Sequence, residues 1–118
     1  MSVQTIKSLL QHDSNATPQK IGFLLLDDFS MLAFASAIEP LRAANRQSNS
    51  DLYGWVIASP TGKPAVASNG VEVASDGDAA VLQDCRMVFV CAGMTVRVDS
   101  DRTVVDLVRG RERNGAVV

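Results

Sequence analysis

An apolar run from Ile21 to Leu26 meets the acidic pair Asp27-Asp28 and passes straight into a pattern of helical period. Continuous hydrophobicity, in place of alternation, predicts a strand buried on both faces, as in the middle of a parallel sheet. The next segment predicts a helix over Ser30 to Arg46, with Ser30 as N-cap and Met31, Phe34, Ile38 and Leu41 on one stripe. Pro40 removes a backbone donor and crowds the carbonyl of Ser36, so a bend near Ser36 to Pro40, or two abutting helices, is expected. Asn45 to Asp51 is polar and reads as a loop. Tyr53 to Ser59 predicts a second strand, closed by the turn Pro60-Thr61-Gly62.

Ala65 to Ala74 alternates around Asn69-Gly70, a hairpin signal whose usual two-residue turn needs positive φ at both positions. A short helix is expected within Asp76 to Gln83. Met87 to Cys91 is the third continuous apolar run, hence another parallel strand. After a loop from Gly93, a helix over about Ser100 to Arg113 would bury Val104, Leu107 and Val108 and stop at Asn114-Gly115. Gly115 to Val118 begins a further apolar strand. A sheet ending on its fourth parallel strand leaves apolar surface uncovered, which predicts that the chain is the amino-terminal part of a longer protein. The elements together predict a doubly wound α/β domain over residues 20–118 behind a polar extension, residues 1–19. Ligand sites in such folds lie at the carboxyl ends of the strands.

Composition narrows the function. Of 118 residues 47% are hydrophobic and 20% charged, so a packed core is expected. A formal charge of −2 offers no basic face for phosphates, so this segment is not expected to grip nucleic acid itself. No apolar run approaches the ~20 residues of a membrane span. Met1 to Gln19 lacks the apolar stretch of a secretory signal. With Cys85 and Cys91 the only cysteines, a reducing cytoplasm and free thiols are expected.

Candidate chemistry is sparse. His12, the single histidine, has no partner groups near it in sequence and reads as an exposed tail residue, with a ligand role as the alternative. Asp27 and Asp28 stand where phosphorylatable receiver domains hold magnesium, but the third strand ends in Cys91-Ala92-Gly93, with no carboxylate to accept phosphate. They read as solvated turn residues or local hydrogen-bond acceptors. Cys91 is either a nucleophile near the ligand end or a thiol packed as a small hydrophobe, and no base is apparent to activate it. Glu39, a carboxylate beside the apolar stripe, must face water, a partner or a pocket. No glycine-rich phosphate loop follows either early strand, and neither a cofactor nor a metal is expected.

Phe29 to Arg46, FSMLAFASAIEPLRAANR, resembles the amino-terminal domain of AraC/XylS-type transcriptional regulators that carry a class I glutamine-amidotransferase-like (PfpI-type) domain. The resemblance continues through Tyr53-Gly54-Trp55, Ala67 to Val71 and Val88 to Gly93, and covers roughly Lys20 to Val118. It implies a flavodoxin-like, amidotransferase-like parallel sheet with flanking helices, incomplete because only its N-terminal part is here, with a β-hairpin insertion. Enzymes of that superfamily (isonitrile hydratases, intracellular proteases and glyoxalase-like proteins) pair a carboxylate early in the first helix with a Cys on a strand-to-helix elbow. The resemblance puts that carboxylate at Ala33, which handles no proton, and the elbow beyond Val118.

The resemblance therefore implies a non-catalytic, cytoplasmic, homodimeric sensing domain, with DNA bound by a helix-turn-helix pair absent from this chain. A small-molecule effector, such as an amino acid or quaternary amine, is expected at the strand-end loops. Its contacts would be Phe29, Ser30 and Met31 after the first strand, and Gly93 and Met94 after the third, with Glu39 as a further contact. The alternative is a hydrolase or hydratase of the same superfamily whose Cys nucleophile lies beyond residue 118. A stand-alone flavodoxin-like binding module is a third reading.

Overall fold

The computed structural model describes residues 17–93 of the chain. The expected helix over Ser100 to Arg113, the strand from Gly115, His12 and Met94 lie outside the described residues. Strand β1 (Gln19–Leu25) is the centre of a three-stranded parallel sheet of order β2-β1-β5, with β2 at Tyr53–Ala58 and β5 at Met87–Cys91. Pairing runs from Gln19↔Tyr53 to Leu24↔Ala58 on one side, and from Ile21↔Met87 to Leu25↔Cys91 on the other. Every residue from Ile21 to Leu26 is buried, as a strand covered on both faces requires. Gln19 and Lys20 extend β1 although both are exposed, because the ladder, and not hydrophobicity, recruits them.

Helix α1 (Met31–Ser48) crosses one face of the sheet between β1 and β2. Ser30 caps it, its hydroxyl accepting from the Ala33 N–H at 3.2 Å. Met31, Phe34, Ile38 and Leu41 pack as expected on Ile21, Phe23, Leu25, Phe29 and Cys91. Phe23 lies at the heart of this layer, its ring 5.4 Å from Phe34 edge-on and 5.4 Å from Phe89 in a stack.

One helix runs through Pro40, not two abutting ones. Pro40 and Ser36 are both exposed, so the carbonyl that the proline leaves unpaired is open to solvent. The helix also continues past Arg46, into residues expected as loop. It stops where Asn49 turns left-handed (φ 51°) and the Ser50 N–H reaches back to the Asn45 carbonyl at 3.2 Å.

The opposite face packs Leu24, Leu26, Val56, Ala58 and Val88 against Leu82 and Cys85. Leu82 belongs to a single 3-10 turn (Ala79–Leu82) capped by Asp78, shorter than the helix expected within Asp76 to Gln83.

Strands β3 (Ala65–Val66) and β4 (Glu72–Val73) form the antiparallel hairpin around Asn69-Gly70. Its turn differs from the expected one. Only Gly70 has positive φ (87°), and the Gly70 N–H donates to the Ala67 carbonyl at 2.9 Å. This is a tight turn followed by one left-handed residue, stabilised by the Asn69 Oδ1 accepting from the Val71 N–H at 3.0 Å.

Candidate functional site

The carboxyl ends of β1 and β5 meet in a tightly tied junction. The Leu26 N–H donates to the Cys91 carbonyl at 3.0 Å, and the Ser30 N–H to the Ala92 carbonyl at 3.3 Å. The hairpin closes the other side. The Asp28 N–H donates to the Val66 carbonyl and the Ser68 N–H to the Phe29 carbonyl, each at 2.9 Å. Asp28 adopts φ 65°, a left-handed conformation that Asp tolerates better than bulkier residues. Gly93 rests against this strained residue, where an added Cβ would overlap the Asp28 carbonyl oxygen. Glycine is thus required at Gly93 by close approach.

The expected site residues separate into three groups. Ser30, Met31 and Gly93 gather at the strand ends, each half-buried. Phe29 belongs to the same loop but is fully buried, its ring 6.0 Å from Phe34 and edge-on to it, so it forms the floor beneath the junction. Glu39 takes the exposed alternative. Its carboxylate accepts two hydrogen bonds from Arg42, at 2.9 and 2.6 Å, and both side chains are about half exposed. That hydrogen bonding holds the Glu39 carboxyl below its ordinary range and raises the Arg42 guanidinium. Asp27 and Asp28 are exposed at the same strand ends.

Cys91 is buried in the helix-side layer, and burial pushes its thiol above the ordinary range. The protonated thiol is the poorer nucleophile, so the geometry favours the packed reading of Cys91. Because the folded value is raised, the stabilising contribution is full below the pH at which an unfolded cysteine titrates and is lost as pH climbs through the folded value. Wild-type protein is therefore expected to lose stability above that pH more steeply than Cys91→Ala, in denaturant titrations from neutral to alkaline pH. Equal slopes would show that the thiolate is tolerated. Among the described residues no cluster of three or more His, Cys, Asp or Glu is arranged to hold a metal ion. Nor is any described helix long and apolar enough to cross a membrane.

An open cleft of about 410 Å³ lies at the other end of the sheet, lined by Arg42, Asn45, Arg46, Asn49, Ser50 and Asp51. It contains none of the expected site residues. Sequence reading missed the hairpin's part in the strand-end junction, and the one available signal was Asp28, a residue type that accepts the left-handed turn.

No protein-family model matches the chain. Over 103 residues it is 41% identical to the HTH-type transcriptional regulator GbdR of Pseudomonas aeruginosa, covering 86% of this chain and 28% of that protein. It is 42% identical over 100 residues to the HTH-type transcriptional regulator CdhR of the same species, covering 85% and 30%. The chain thus spans less than a third of the length of these curated relatives. Among solved structures, an AraC family transcriptional regulator from Pseudomonas putida superposes with a TM-score of 0.73 at 26% identity, over 84% of this chain and 53% of that one. A DJ-1 superfamily protein from Agrobacterium tumefaciens superposes at 0.56 and 24% identity, over 84% and 51%, a likeness of fold alone.

Proposed function

We propose that this chain, whose homologues are AraC-family transcriptional regulators, is the non-catalytic effector-sensing and dimerising segment of a cytoplasmic regulator. DNA binding belongs to a helix-turn-helix domain outside it. The observation that carries the reading is the strand-end junction: a left-handed Asp28, a Gly93 with no room for a side chain, and half-buried Ser30 and Met31 beside it. Such a junction suits recognition, because strained, over-determined backbone is preorganised for a ligand. Two further features argue against turnover by these residues. The resemblance puts the enzymes' carboxylate at Ala33, which has no titratable group, and burial raises the Cys91 thiol above its ordinary range.

Ser30, Met31, Gly93 and Met94 are the proposed contacts, with Phe29 as floor. The exposed carboxylates of Asp27 and Asp28 at the same end favour a small molecule with an ammonium head, an amino acid or a quaternary amine. Glu39 would contact an effector as one half of an exposed pair with Arg42.

A thermal-shift screen of amino acids and betaines on the intact protein tests this. A ligand at a hundred times its Kd stabilises the fold by about 2.7 kcal/mol and raises the midpoint. Met31→Glu is expected to abolish that shift, and Glu39→Gln to leave it intact. Loss of the shift in Glu39→Gln would move the site to the outer face of α1. Turnover of a substrate, lost on altering a side chain in this chain, would favour the hydratase reading.

A further inference from the structure

Asn69-Gly70, at the tip of the hairpin, has a chemistry that its part in the turn does not use. The carboxamide of an asparagine is open to attack at Cγ by the main-chain nitrogen of the next residue, which closes a five-membered ring. Glycine at that next position hinders the attack least, because it has no Cβ. Both residues are exposed, and nothing stands within 4 Å of the place where a Gly70 side chain would begin. The ring therefore has room to close.

Two hydrogen bonds act on the reacting groups in opposite senses. The Asn69 Oδ1 accepts from the Val71 N–H at 3.0 Å, which folds the carboxamide forward, toward the Gly70 nitrogen. The same donor is placed to stabilise negative charge on Oδ1 as that nitrogen adds. Against this, the Gly70 N–H donates to the Ala67 carbonyl at 2.9 Å, so its proton is held while the turn is closed. Asn45 is the contrast within the same chain. Its carboxamide is bonded at both ends to the Tyr53 main chain, at 3.0 and 2.9 Å, and the next residue, Arg46, lies within α1.

We propose that Asn69 is a self-modification site, converted to aspartate and isoaspartate in the folded protein, with the hydrogen bond from Gly70 to Ala67 as the gate on the rate. The Gly70 nitrogen loses its proton to hydroxide and bonds to the Asn69 Cγ. The bond from Cγ to the amide nitrogen breaks, and ammonia leaves. Water then opens the resulting succinimide. Opening at Cγ gives aspartate, whereas opening at the main-chain carbonyl gives isoaspartate, whose main chain runs through Cβ and Cγ and is one atom longer. That atom falls inside the turn, between Ala67 and Val71, whose N–H and carbonyl are paired at 2.9 Å. The flanking residues hold the end of β1: the Ser68 N–H donates to the Phe29 carbonyl, and the Val66 carbonyl accepts from the Asp28 N–H. Isoaspartate therefore loosens the hairpin's grip on the strand end, and aspartate does not.

The test incubates the intact protein at neutral and mildly alkaline pH, folded and in urea. Peptide mapping by mass spectrometry follows the amide-to-acid exchange at Asn69, at Asn45 and, separately, at the chain's other Asn-Gly pair, Asn114-Gly115. In the folded protein Asn69 is expected to convert while Asn45 stays intact, and to convert faster as pH rises. Its rate should be roughly fivefold below that in urea, the factor set by one hydrogen bond of ordinary net strength. Enzymatic methylation specific for isoaspartyl groups identifies the longer-chain product. Hydrogen exchange then compares fresh protein, the isoaspartate fraction and Asn69→Asp, with faster exchange at the Asp28 and Ser68 amides expected in the isoaspartate fraction alone. An Asn69 that stays intact in the folded protein, over a period that converts it fully in urea, would overturn the proposal. Equal rates with and without urea would remove the gate, and unchanged exchange in the isoaspartate fraction would remove the link to the strand end.

Discussion

Phe23→Ala is expected to cost about 3–5 kcal/mol, the range for emptying a well-packed aromatic site. That is a large part of the ~5–15 kcal/mol that holds a typical domain folded. Phe23 is fully buried on the central strand, and its ring joins the helix layer, through Phe34, to the third strand, through Phe89. Truncation leaves a void between three elements, none of which can collapse without breaking the β1 ladder on one side. Urea unfolding should show a midpoint shift at unchanged slope. Leu32→Ala is the matched control, since Leu32 is 77% exposed and its loss should be worth under about 0.5 kcal/mol. A Phe23→Ala cost below about 1 kcal/mol would mean that the ring is not part of a rigid core.

Gly93→Ala is the second large expected effect, and it separates two kinds of crowding. A methyl at Gly93 runs into the Asp28 main chain, so the backbone of one strand end has to move. A methyl at Gly22 meets the Leu82 Cδ2 at 2.7 Å and the Cys85 Sγ at 3.0 Å, buried side-chain atoms that yield more readily than main chain. Overpacking costs about 1–3 kcal/mol, and Gly93→Ala is expected at or above the top of that range, with Gly22→Ala below it. The displaced Asp28 also pulls on Val66, to which it is hydrogen-bonded. Any effector-dependent rise in the melting midpoint should therefore vanish in Gly93→Ala even at a temperature where the variant is folded. Retention of the full shift would remove the strand-end junction from the binding site. The measurement is a pair of melts, with and without ligand, on both glycine variants.

Much of the frame was legible along the chain because burial leaves a periodic trace. Met87–Cys91 forms over the residues its hydrophobicity predicts, and the α1 stripe packs as its spacing requires. Boundaries drifted where something other than hydrophobicity decides. Gln19 and Lys20 join β1 through the ladder, and α1 runs on to a left-handed Asn49 that periodicity cannot see. The hairpin's place was evident from Asn69-Gly70, but its turn type was not, since one left-handed residue suffices there. The site was harder to read. Phe29 stood at the expected strand end, yet tertiary packing turned its side chain inward, while Glu39 found its partner one turn along the outer face. The hydrogen bonds of the Asn45 carboxamide to the Tyr53 main chain, and of the Ile57 N–H to the Asp76 carboxylate, were invisible in sequence for a plain reason. Side-chain partners 8 and 19 residues away follow no repeat and have no composition of their own.

Trp55 has a practical consequence. It is the chain's single tryptophan, lies within β2 between Tyr53 and Ile57, and is part wet and part dry. The protein thus carries a native optical reporter in mid-strand, three residues before the carboxyl end of β2. Emission that changes colour when a metabolite arrives would reveal communication from the strand ends into the body of the sheet, without any label being attached.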